Sequence, residues 1–186
     1  MFFCRFFIYF ILWGILFTHA LFSIGNWHVI ESQHIRLLYS KKHKSQAIQF
    51  LNHLEESHRT LSPLFKEPSK KLTVILEEYG LQANGSISKN YLQGRLLTYY
   101  STHDHRNLNH HNWYQLLSVH EYTHFLHFSS TSKAFLYSAE LLGAYTLPTI
   151  VLPDTLIEGI AVYNESNINP YQGRLNDGYS HAIASI

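Results

Sequence analysis

Three groups in this chain have the types and spacing for metal-assisted hydrolysis: His120, Glu121 and His124, arranged as His-Glu-x-x-His within "SVHEYTHFLH". Residues four apart on a helix stand on one face, so both imidazoles can reach a single ion. Glu121 is one position from the first histidine. It can reach a water activated by the metal without joining the ligand set, and can take its proton as the water attacks a carbonyl. The chain has 14 histidines, and roughly one shuffle in twenty of such a composition produces these five letters somewhere. The motif alone therefore leaves open a surface-facing histidine pair on an ordinary helix. Its setting argues for chemistry. It lies in mid-helix among Leu116, Leu117, Val119, Phe125 and Leu126, where an unpaired glutamate would be costly.

A catalytic zinc needs a third protein ligand and an open position. The sole cysteine, Cys4, lies near the N-terminus, so the site must be built from histidine and carboxylate. Glu158 in "LPDTLIEGIAVYNE" is the best candidate, in the first turns of a helix beside Gly159, which would allow close backbone approach to a neighbouring helix. Its alternative role is a favourable charge at a helix N-terminus. Glu165, seven residues on, shares that face and could orient His120 or His124 through a hydrogen bond. It could equally be a solvated carboxylate at the helix end. The run "THDHRNLNHH" reads as a polar loop rather than a second metal patch. His127 reads as packing or surface, and His181 is too isolated to assign.

These residues need elements to carry them. Trp27 to Tyr39 reads as one or two strands, and Lys44 to Leu61 as an amphipathic helix ended by Pro63 and Pro68. Lys71 to Gly80 reads as a strand, "ANGSISKN" as a turn, and Arg95 to Ser101 as a further strand. Asn112 caps a helix from about Trp113 to Phe128, with Gln115 completing a capping-box pattern. "KAFLYSAELLGAY" forms another helix. A third starts at Pro153-Asp154, with Asp154 as its N-cap. Strands first and helices after predict an α+β domain.

Composition limits the alternatives. The chain has 186 residues, 46% of them hydrophobic, which fits a single domain with a real core. Lys+Arg 14 against Asp+Glu 13 gives a formal +1, and there is no basic block of the kind that binds nucleic acid. Arg5 followed by an apolar run from Phe6 to Phe17, with Thr18 and Ala20 at the spacing a signal peptidase reads, predicts a signal peptide over residues 1–20. An uncleaved membrane anchor is the alternative. Residues 21–186 form the expected domain, and on either reading it is exported to the periplasm, cell envelope or exterior.

His-Glu-x-x-His followed by a helix bearing Glu158-Gly159-x-Ala161-x-Tyr163 resembles the gluzincin metallopeptidases, most closely the bacterial peptidase-MA-like proteins. Further likeness lies in Val74-Ile75-Leu76, Ala83-Asn84-Gly85, Val119 to His124, Pro153 with Leu156 to Glu165, and Gly173-Arg174-Leu175. The resemblance implies a zincin-like fold: a small N-terminal mixed sheet with helices, then a helical half carrying the motif helix and the glutamate helix. It implies Zn²⁺ held by His120, His124 and Glu158, with Glu121 as general base and a peptide or protein as substrate. It implies an edge strand beside the metal, assigned to "RLLTYY", and leaves Tyr163, Tyr171 and Tyr179 as candidates to stabilise an oxyanion. Relatives commonly continue past the Gly-Arg segment, which makes truncation after Ile186 an expectation and motivates an alternative: a non-catalytic zinc-binding module acting in binding or assembly at the cell envelope.

Overall fold

A computed structural model describes residues 27–68, 70–78, 84–89, 91–98, 112–143, 148–168, 170 and 172–176. The expected signal peptide, the 102–111 loop, Tyr171, Tyr179 and His181 lie outside them.

The chain forms an α+β domain. Strands β1 (Trp27–Glu31), β2 (Ile35–Ser40), β3 (Leu72–Glu77), β4 (Gly85–Ile87) and β5 (Gln93–Leu97) make one sheet in the order β1-β2-β3-β5-β4. The central pairs β2–β3 and β3–β5 are parallel, and the outer pairs β1–β2 and β4–β5 are antiparallel. The parallel β2–β3 pair is possible because helix α1 (Lys44–Leu61) supplies the crossover.

Period-two burial explains how the sheet holds its helices. Ile35, Leu37 and Tyr39 on β2 are buried, as are Leu72, Val74 and Leu76 on β3, while alternate residues are more exposed. Register pairs Ile35 with Leu72, Leu37 with Val74 and Tyr39 with Leu76, so the buried side chains form continuous rows on one face. Ala47, Phe50, Leu54 and Leu61 recur at helical spacing along α1 and join the same core.

Helix α2 (Trp113–Ser129) belongs to a different class. Residues Leu116 to Leu126 are buried without a break. A helix buried on every side must lie between other elements: α2 sits between α1 and the sheet edge on one hand and α4 (Asp154–Asn167) on the other. Its start is fixed as expected, with Asn112 Oδ1 accepting from Gln115 N–H at 3.1 Å. Helix α3 (Lys133–Leu142) follows and ends at Gly143, whose φ of +89° suits glycine.

Three expectations need correction. "ANGSISKN" is not only a turn, because Gly85–Ile87 within it pairs with Leu96, Arg95 and Gly94. "RLLTYY" is not the edge: its described residues belong largely to β5, which lies between β3 and β4. The short, polar β4 fills the edge position, and weak strand propensity hides such a segment. Finally, Asp154 is not a capping residue. The N-cap position is Pro153, and Asp154 is the first residue of α4, where its charge still suits the helix N-terminus.

Candidate metal centre

The two motif histidines project from α2 toward α4. Their Nε2 atoms lie 3.1 Å apart. Glu158, from the first turns of α4, brings Oε2 to 3.3 Å from His120 Nε2 and Oε1 to 3.4 Å from His124 Nε2. Three donors on one tetrahedral zinc, each about 2.0–2.1 Å from it, would be separated by about 3.3 Å. The observed spacing therefore suits a shared ion, as does a donor set of two imidazoles and one carboxylate.

Ring orientation supports the same fit. Two imidazoles on a tetrahedral ion hold their centres about 5 Å apart and diverge from it. His120 and His124 have centres 4.7 Å apart and planes at 88°. A second trio of His34, His58 and Glu67 also places one donor atom of each within 4.8 Å of the others. There the two rings are stacked, with centres 3.6 Å apart and planes at 15°. Stacked rings cannot aim their lone pairs at one ion. This pair packs instead, braced by His34 Nδ1 to Glu55 Oε2 and His58 Nδ1 to the Tyr122 hydroxyl, each 2.8 Å.

The electrostatics favour a neutral His124. Burial, reinforced by the charges of His120 and other cations, lowers the His124 pKa to about 3, and a metal requires the deprotonated imidazole. His120 Nδ1 lies 2.9 Å from Glu165 Oε2. Burial opposes ionisation of Glu165, but hydrogen bonds with His120 and Arg174 outweigh it and hold its pKa below the ordinary carboxylate range. An ionised Glu165 accepts the Nδ1 proton and leaves Nε2 of His120 with a free lone pair.

Glu121 occupies the gap between the histidine pair and the sheet edge. It is only 3% exposed, and among the described residues its Oε2 has no hydrogen-bond partner. Burial raises its pKa from the ordinary 4.5 to about 7. A carboxyl poised near neutrality is suited to take and return a proton. Its side chain lies across the backbone of Gly85 on β4, and a Cβ there would come within 2.8 Å of Glu121 Cγ. On the hydrolytic role proposed below, Gly85→Ala should displace Glu121 and lower turnover on the order of 10²-fold while leaving metal content unchanged. Turnover and metal content measured on the same preparation check this.

Other candidates fall in different places. Gly159 provides no close helix approach, because a Cβ there would meet nothing within 4 Å. Tyr163 is 58% exposed, and five residues of helix turn it about 140° from Glu158. His127 stacks on Phe128 with centres 5.8 Å apart. Arg174 received no individual role from sequence spacing, yet its Nε lies 2.8 Å from Glu165 Oε1 and its Nη2 lies 2.8 Å from His120 Nδ1.

Compared with protein-family profiles, curated proteins and solved structures, the chain shows no match.

Proposed function

We propose that this chain is a zinc-dependent peptide hydrolase with a zincin-like fold, in which His120, His124 and Glu158 hold the ion and Glu121 is the general base. The observation that carries this reading is the convergence of two imidazoles and a carboxylate at 3.1–3.4 Å, beside a buried carboxyl group with an oxygen that has no partner among the described residues. Zinc bound there supplies Lewis acidity, which polarises a carbonyl and brings the pKa of water toward neutrality.

The protein's own groups do the remaining work. Glu121 Oε2 accepts the proton of the attacking water, and the carboxyl then returns it to the leaving amine as the peptide C–N bond breaks. Glu165 keeps the Nδ1 proton of His120 on the side away from the ion. Strand β4 ends the described sheet, and its outer backbone groups suit an extended peptide lying alongside as a further strand. Gly85 keeps that strand close to Glu121.

Among the described residues no helix is long and apolar enough to cross a membrane. The proposal of export rests on Arg5 and the Phe6–Phe17 run.

The test is metal removal. Mass spectrometry of a broad peptide library after incubation with the purified chain should reveal new termini. A chelator should abolish cleavage and added zinc should restore it. Cleavage indifferent to chelation, or none by the zinc-loaded chain, would overturn the hydrolase reading.

A further inference from the structure

Arg174 lies in a short 3-10 turn, Arg174–Asn176, that follows α4, and the local backbone is built to fold this turn back onto the helix. Gly173 has a φ of +93°, and a Cβ at that position would collide with the Cα and Oγ of Ser166. Only glycine allows so close an approach with that backbone. Ser166 Oγ then accepts from Leu175 N–H at 3.1 Å, and Asn176 Nδ2 donates to the Ser166 carbonyl at 2.7 Å. The consequence is a fixed place for the arginine. Its backbone N–H and its Nε donate to Glu165 Oε1 at 3.2 and 2.8 Å, and its Nη2 donates to Glu165 Oε2 at 3.1 Å.

We propose that Arg174 is the positioning residue of the metal centre, clamping Glu165 so that the carboxylate receives the Nδ1 proton of His120 and the imidazole presents Nε2 to the ion. The inference rests on the metal site proposed above. Glu165 Oε2 is the atom shared by the two contacts, 3.1 Å from Arg174 Nη2 and 2.9 Å from His120 Nδ1. A carboxylate held by three donors cannot swing away from the histidine. A carboxylate without them has other rotamers open, and His120 loses a fixed partner. The 2.8 Å approach of Arg174 Nη2 to His120 Nδ1 is not a second hydrogen bond once Nδ1 carries its proton, because both groups are then donors. It records how tightly the three side chains are gathered around one oxygen. The arginine also brings its charge to Glu158 and Glu121 as well as Glu165, offsetting carboxylates grouped around the site.

The experiment measures zinc affinity by competition with a chromophoric chelator, for the wild type and for Arg174→Ala, Arg174→Lys, Glu165→Gln and the Arg174→Ala/Glu165→Gln double variant. Loss of such an outer partner typically costs about 10–100-fold in metal affinity. Arg174→Ala and Glu165→Gln should each fall in that range. Arg174→Lys, which keeps the charge but not the fork, should recover part of the loss. The double variant should bind no more weakly than the weaker single one, because both act through the same contact. Unchanged zinc affinity in Arg174→Ala, multiplicative losses in the double variant, or full wild-type affinity in Arg174→Lys would overturn the inference. Because Arg174→Lys tests the clamp with the charge retained, a poorly folding alanine variant does not remove the test. Failure of the wild type to bind zinc would instead overturn the metal site itself.

Discussion

Glu121→Gln should lower hydrolysis by at least about 10²-fold while leaving about one zinc per chain. Glutamine has nearly the shape of glutamate and fits the space over Gly85, so the histidines and Glu158 are left undisturbed. It cannot take a proton, however, and general-base catalysis contributes about 10²–10⁴-fold. The same substitution has a signature in the metal-free chain. The Glu121 pKa rises on folding from 4.5 to about 7, so between those values the folded state binds more protons than the unfolded state. Stability due to this group therefore falls as pH rises through that window. Glutamine has no such dependence. Denaturation of both metal-free chains should show the variant gaining on the wild type from pH 4.5 to 7, by about 3 kcal/mol in total at about 1.4 kcal/mol per pKa unit. Equal turnover, or a stability difference that does not change with pH, would contradict the role and burial assigned to Glu121.

The second large effect is loss of the metal from Glu158→Ala. Glu158 is a clean probe because its side chain is 55% exposed, so its removal leaves no buried group stranded and should alter folding stability by no more than about 0.5 kcal/mol. His120→Ala would be harder to interpret, since it removes the partner of buried Glu165. Direct loss of one of three ligands should exceed the about 10–100-fold cost of losing an outer partner. Chelator competition should therefore rank Glu158→Ala below Arg174→Ala in zinc affinity, while the metal-free variant and the metal-free wild type should give nearly the same denaturation curves.

What the sequence made visible depended on how local each signal is. Helix α2 could be read from Asn112, which does cap it, and from the uninterrupted apolar neighbours of the motif. Glu158 and Glu165 could be paired because seven residues of helix return to one face, and both do reach the histidine pair. Strand β4 was hidden because "GSI" has little strand propensity and exists through pairing with β5. The same non-local cause misplaced the sheet edge at "RLLTYY". Arg174 was the hardest to assign. Its partners lie nine residues back, on Glu165, and 54 residues back, on His120. Its placement depends on Gly173 adopting a backbone conformation that spacing does not reveal. The stacked His34–His58 pair teaches the reverse lesson: a trio with metal-binding residue types can be close together and still be arranged for packing.

The most direct test is a metal analysis of wild-type, Glu121→Gln and Glu158→Ala chains purified side by side. About one zinc per chain is expected in the first two and essentially none in the third. Equal metal content in the wild type and Glu158→Ala, whether both loaded or both empty, would contradict the proposed metal site.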